Sequence, residues 1–277
     1  MTETCPRWLR LLVVATAGTV LLVACAPTAG PPTTSPKAGG KLTVASWQEQ
    51  DSLLACNITS AASHACAYIN PAMEGLLTVK ANQDPLPTNP KLSDYWVPEL
   101  ATEVPTLENG DVKVNGNKMD VTWKLRHGVK WHDGVAFSSK DVKATFDFWW
   151  LKYRDKNPTP LISTSGWDQV DSVDTPDDFT AIVHFKSVYA AYLTLGTGPY
   201  GVLPEHLLQQ VWAQTGDITH DKVTVSIANG YSGSDTLDKI MVGTGPFMFK
   251  EWVTGDHLTL VRNPHWWGGG GRPYLNE

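Results

Sequence analysis

A mixed α/β fold of the α+β kind is what this sequence predicts, on three observations. Apolar and polar residues alternate from Val121 to Arg126, as in a strand with one face buried. Val142, Phe146, Trp149 and Tyr153 then recur at the spacing of a helix with one apolar face. Short strand-like runs, isolated helical stretches and turn formers continue on both sides without an internal repeat. The bulk composition agrees. Of 277 residues, 42% are hydrophobic and 18% charged, the balance of a globular chain. A formal net charge of −6 argues against an extended basic face, so no nucleic-acid partner is expected. Twelve tryptophans are available to fill a core or line a cavity.

The first 24 residues stand outside this fold. Arg7 and Arg10 precede apolar runs at 11–15 and 20–24, the layout of a secretory signal and too short a stretch for a permanent span. The run closes on Leu22-Val23-Ala24-Cys25, which resembles a bacterial lipoprotein signal. In such signals the cysteine thiol, a strong nucleophile once ionised, receives a diacylglycerol and the preceding chain is removed. An acylated Cys25 is expected to hold the protein at a membrane face, with membrane lipid as its partner. Loss of residues 1–24 removes Glu3, Cys5, Arg7 and Arg10, moving the formal charge from −6 to −7. Cys56 and Cys66 then form an even pair in an oxidising compartment, and a disulfide clip between them is expected, with two free thiols as the alternative. His64 beside Cys66 makes too sparse a ligand set for a metal site.

Residues 25–40 are rich in proline, glycine and threonine and offer little apolar surface to offset ordering, so they are expected to be a tether. The folded region is expected to open with a strand over 41–47, followed by a helix within 59–69 that ends before Asn70-Pro71. Residues 73–79 are predicted as a turn feeding a strand, with a short helix through Met73 and Glu74 as the alternative, and 81–90 are turn formers. After the strand at 121–125, His127-Gly128 and Asp133-Gly134 supply turns. Ser138 followed by Asp141 approximates a capping box for the helix that Asn157-Pro158 ends. Strands are predicted at 168–173 and 180–185 around a turn at 174–178, and a helix at 203–211 with Pro204 in its first turn. The turn 243–246 precedes strands at 247–252 and 257–261, and Gly268–271 reads as a flexible connection.

Several of these segments together resemble the large extracellular solute-binding family serving peptide and nickel ABC importers. The longest is Val121 to Phe148, with its Leu125-Arg126-His127-Gly128-Val129-Lys130-Trp131-His132-Asp133-Gly134 turn and its Asp141-Val142 helix start. Glu74-Gly75-Leu76-Leu77, Pro98-Glu99-Leu100-Ala101 and Pro204-Glu205-His206 occur in the family's order, as do Gly243-Thr244-Gly245-Pro246-Phe247 and Arg262-Asn263-Pro264-His265-Trp266-Trp267. The resemblance implies a periplasmic-binding-protein-like two-lobed fold. It divides the chain into 41–70, the start of the first lobe, 71–190, an inserted subdomain, and 191–277, the returning part of the first lobe. The second large lobe is absent from this chain, and a truncated product or sequence fragment is expected.

The resemblance further implies capture of a solute, an oligopeptide first and a nickel complex, sugar or other small solute second, for the permease subunits of an ABC importer. The expected protein is a monomer in the periplasmic space or on the outer face of the cell membrane. A surface lipoprotein with a scaffold role is the reading from another class. Trp47, Glu49 and Tyr200 are the candidate ligand contacts, weighed against ordinary packed or exposed roles. Gly128, Asp133, Gly134, Asp141, Gly243 and Gly245 are expected to shape turns and helix ends, with no direct part in binding. His132-Asp133 reads as a turn. No phosphate loop or His-Glu-x-x-His zinc helix occurs, so no enzyme activity, metal or cofactor is expected.

Overall fold

In the computed structural model, the residues described are 37–46, 70–80, 91, 94–154, 166–196, 201–215, 224–225, 235–236, 241–253 and 255–277. The helix expected within 59–69 and the turn formers at 81–90 lie outside them. The architecture is mixed α/β, as the alternating and helical periodicities predict.

Its centre is a four-stranded antiparallel sheet. Strands β3 (Val112–Asn115), β4 (Lys118–Lys124), β5 (Val170–Asp177) and β6 (Thr180–Phe185) stand in the order β3-β4-β6-β5. Strand β4 is flanked on both sides. Val121 faces Val112 on one side and Val183 on the other, and Trp123 faces Ala181. The period-two pattern therefore sends Met119, Val121 and Trp123 to one buried face. Helix α1 (Ser139–Arg154) packs that face against β5 and β6, with Val142 and Phe146 buried. The Phe146 ring meets Trp167 edge-on, centroids 5.2 Å apart. Trp149 and Tyr153 lie within α1, and their side chains fall outside the description.

The helix start follows from its cap. The Ser138 N–H donates to Asp141 Oδ2 at 2.8 Å, and the Lys140 N–H donates to Ser138 Oγ at 3.3 Å. This is the reciprocal capping box that the Ser138/Asp141 spacing predicts. Asp141 Oδ1 is also accepting, from the Glu205 N–H at 2.8 Å, so one carboxylate caps α1 and α2 (Glu205–Thr215) together. The second helix starts two residues later than predicted. Pro204 stays just outside it, with its carbonyl accepting the first helical N–H groups from Leu207 and Leu208.

Two short antiparallel pairs complete the elements nearest the motifs: β1 (Leu77–Val79) with β2 (Trp96–Pro98), and β9 (Phe247–Val253) with β10 (His257–Arg262). Strands β7 (Thr224–Val225) and β8 (Asp235–Thr236) also pair. Residues 71–76 carry no helix and lead into β1, so the turn feeding a strand that is predicted over 73–79 holds and the short-helix alternative does not.

Four expectations are corrected. Residues 41–46 are not a strand: they are exposed and joined to 274–277 by only a few backbone bonds, such as Leu42 N–H to the Glu277 carbonyl at 3.0 Å. The turn expected over 174–178 is displaced, because β5 absorbs Pro176 as an irregularity between Asp174 and Asp177 and continues to Asp177. The strand expected to begin at 168 starts at Val170, after a 3-10 turn over Trp167–Gln169. Gly268–271 is folded into successive turns, with the Gly269 N–H donating to the Trp266 carbonyl and the Arg272 N–H to the Gly269 carbonyl.

Candidate functional site

The family-like segments are far apart in sequence, and they meet at one buried polar junction. Its hub is Glu74. A carboxylate buried this deeply, at 6% exposure, is costly unless its oxygens find donors, and three side chains supply them. The indole N–H of Trp266 donates to Oε1 at 3.0 Å. The indole N–H of Trp267 donates to Oε2 at 2.6 Å, and the Thr244 hydroxyl donates to the same oxygen at 2.9 Å. Burial pushes the Glu74 carboxyl above its ordinary range, against the pull of these bonds and of the Arg126 charge. Arg126 lies over the Trp267 ring, its guanidinium carbon 4.4 Å from the centroid, and its Nε donates to the Glu99 backbone carbonyl. Glu99 Oε2 in turn accepts the Gly75 N–H at 3.0 Å. Burial pushes the Glu99 carboxyl up to about 7. The Gly75 bond opposes the rise and the Glu74 charge adds to it.

A second group of contacts holds the 243–246 turn. The Gly245 N–H donates to the Ala72 carbonyl at 3.1 Å and the Phe247 N–H to the Pro71 carbonyl at 3.1 Å. The approach leaves no room for side chains: a Cβ on Gly243 would collide with the Ala72 carbonyl oxygen, and one on Gly245 would sit 2.5 Å from that of Pro71. From the other side, His132 Nδ1 accepts the Gly243 N–H at 3.1 Å while Nε2 faces the Gly245 carbonyl at 3.1 Å. One acceptor nitrogen and one donor nitrogen fix a neutral ring with its proton on Nε2. Burial holds the His132 pKa down at about 4. Asn263 Nδ2 donates to the same Gly245 carbonyl at 3.0 Å.

The third group is the Asp133 turn. Asp133 Oδ1 accepts the Val135 N–H at 3.2 Å, and Oδ2 pairs with His206 Nε2 at 2.6 Å. Burial alone would raise the Asp133 carboxyl, but the His206 and Val135 bonds outweigh it and hold it below its ordinary range. Gly134 turns with φ +92° and Gly128 with φ +75°, conformations that suit glycine.

Of the residues singled out from sequence, Gly128, Asp133, Gly134, Asp141, Gly243 and Gly245 occupy these turns and caps. Trp47, Glu49, Tyr200, Cys25, Cys56 and Cys66 lie outside the described residues. Sequence reasoning saw Glu74, Glu99, Arg126 and Trp267 only as motif letters. The tendency of a buried carboxylate to gather indole donors could have singled out Glu74, but the partners lie 170–193 residues away. Among the described residues no group of three or more His, Cys, Asp or Glu side chains is placed to hold a metal ion. No helix among them is long and apolar enough to cross a membrane. The junction's carboxylates and imidazoles are engaged with internal donors and acceptors, an arrangement that fixes segments in register.

Comparison with known proteins gives the same grouping. Residues 96–277 match the bacterial extracellular solute-binding proteins, family 5 Middle. A Brucella ovis protein, assigned by name only to the ABC transporter peptide-binding proteins, is 30% identical over 177 residues. That stretch covers 62% of this chain and 29% of the relative, so the chain spans under a third of that protein's length. Among solved structures, the oligopeptide-binding protein AppA of Bacillus subtilis, in complex with a nonapeptide, superposes with a TM-score of 0.62 at 22% identity. The likeness covers 87% of this chain and 40% of AppA. NikZ of Campylobacter jejuni, in complex with Ni(L-His), gives a TM-score of 0.50 at 23% identity, over 72% of this chain and 31% of NikZ. At these identities the likeness establishes a shared fold, that of the periplasmic binding proteins.

Proposed function

Because the chain belongs to the bacterial extracellular solute-binding proteins, family 5, we propose that it takes part in capturing an oligopeptide outside the cytoplasm and delivering it intact to an ABC importer. The observation that carries this reading is the family match over 96–277, whose motif residues meet at the Glu74, His132 and Asp133 contacts. Peptide as the solute is supported by the name of the Brucella ovis relative and by the nonapeptide bound in the AppA structure. Peptide backbones repeat the same donors and acceptors whatever their side chains, so a cleft lined with backbone groups and aromatic surface serves many sequences. Trp47, Glu49 and Tyr200 are the residues we assign to that cleft. A nickel complex is the second reading, supported by the Ni(L-His) bound in NikZ. The protein is a carrier in both readings, since delivery requires the cargo to leave unaltered.

We further assign Cys25 as the acylated anchor and residues 25–40 as its tether, on the sequence Leu22-Val23-Ala24-Cys25 and the proline-rich stretch after it. Uptake of a radiolabelled nonapeptide by the source cells tests delivery. Disruption of the gene should abolish most uptake, and Cys25→Ser should both lose incorporation of labelled fatty acid and reduce uptake. Unchanged peptide uptake, with uptake of a nickel–histidine complex lost, would favour the second reading. Unchanged uptake of both solutes would contradict solute delivery and favour a scaffold role. Appearance of cleaved peptide in the presence of the purified protein would contradict the carrier assignment.

A further inference from the structure

We propose that Asp120, His184 and Asp174 form an acid-tightened clasp that holds the edge strand β5 against the central sheet. The three side chains stand on three neighbouring strands, β4, β6 and β5. All lie on the face turned away from α1, since the alternate positions Val121, Val183 and Val173 are the buried ones. His184 Nδ1 lies 2.7 Å from Asp120 Oδ1, and Nε2 lies 3.2 Å from Asp174 Oδ2, so one imidazole spans both gaps between strands.

This geometry sets the protonation of the ring. An ionised carboxylate only accepts, and a neutral imidazole has a single N–H, so it could donate to one of these oxygens but would turn a lone pair toward the other. Imidazolium donates to both, and both bonds are then charge-assisted. Partial burial by itself would lower the His184 pKa, but the bonds to Asp120 and Asp174 and their charges outweigh it and hold it above its ordinary value of 6.5. Other charged groups near this face have partners of their own. Lys118 pairs with Asp171 at 3.9 Å, and Lys124 with Asp111 and Glu103 at 2.9 and 3.0 Å. Lys186 Nζ donates to the Asp168 carbonyl at 2.8 Å, and Asp177 Oδ1 accepts the Phe179 N–H at 2.7 Å. Lys113 stands opposite Asp120 on β3, with Asp120 between it and His184.

Strand β5 is the element that such a clasp would steady. Among the described residues it is an edge strand, paired with β6 alone. That pairing is irregular between Val170 and Ser172 and again between Asp174 and Asp177, and Asp174 closes the regular stretch between the two. Just beyond, the Asp177 carbonyl accepts the Ser139 hydroxyl at 2.6 Å and the Asp178 carbonyl accepts the Ser139 N–H at 2.8 Å, so the end of β5 also supports the start of α1. Loss of the proton leaves His184 one N–H. The shorter contact, to Asp120, keeps it, and the longer one to the more exposed Asp174 opens. The sign follows from linkage. A histidine whose folded pKa is raised contributes stability that is fully present below 6.5 and is lost as pH rises through the folded value above it.

Proton–nitrogen NMR of the full chain, with the His184 ring assigned through bonds from its own backbone amide, tests the clasp. The wild-type ring should titrate above 6.5 with both nitrogens protonated at pH 6, and Asp174→Ala should lower that midpoint. Hydrogen exchange of the β5 amides bonded to β6, corrected for the intrinsic rate, gives the mechanical readout. Between pH 6 and pH 8 it should speed up about two- to fivefold in the wild type, the range of a partly exposed ion pair, and change less in Asp174→Ala. A midpoint at or below 6.5, or one that Asp174→Ala leaves unmoved, would overturn the proposal. So would a raised midpoint with β5 protection level across the pH step. Asp174→Asn carries the same expectations should Asp174→Ala fail to fold.

Discussion

At Gly243 the backbone passes so near Ala72 that even a methyl group would strike the facing carbonyl oxygen. Gly243→Ala must therefore break the Gly245–Ala72 and His132–Gly243 contacts or push residues 71–73 aside, at a cost of about 2–4 kcal/mol. Gly116→Ala is the control. That glycine has φ +63° but open space around its Cβ position, so conformational strain alone costs about 1 kcal/mol. Urea midpoints with unchanged slopes would separate the two. His132 gives a pH-dependent prediction. Its pKa falls from 6.5 to about 4 in the fold, so the unfolded chain takes up the proton first and stability is lost as pH falls from about 6.5 toward 4. Wild type compared with His132→Gln should lose about 2 kcal/mol of relative stability between pH 7 and pH 5.

Among the elements, α1 shows what was legible from sequence and what was not. Its apolar period and capping box are local patterns, and α1 carries the cap together with a buried Val142 and Phe146. The second duty of Asp141, capping α2, joins residues 64 positions apart and leaves no local trace. Asp141→Ala should thus cost more than loss of a single cap, about 2–3 kcal/mol by chemical denaturation, against about 1 kcal/mol for Ser138→Ala. Equal losses would mean that the α2 bond contributes little. Strand β2 escaped sequence reading for a related reason: it is three residues long, too short to show a period. Residues 41–46 erred the other way. Leu42 and Val44 alternate like a buried strand yet are 62% and 58% exposed, because β-propensity without a face to pack against does not make a strand.

Across the whole molecule, the family signature and the fold were legible because the turn glycines and their neighbouring motifs recur in a fixed order along the chain. Their physical reason was not, because it lies in contacts such as Glu74–Trp267 and His132–Gly243 that only the folded chain brings together. Those contacts hold the segments that the family match covers, and the proposed binding of a solute depends on their holding. Equilibrium binding by isothermal titration calorimetry, with a nonapeptide and a nickel–histidine complex offered separately to a purified form that carries both lobes, tests the proposal most directly. The account predicts saturable binding of the peptide, its recovery uncleaved, and loss of binding on Trp47→Ala. Absence of binding to either solute by a protein that unfolds cooperatively would contradict it.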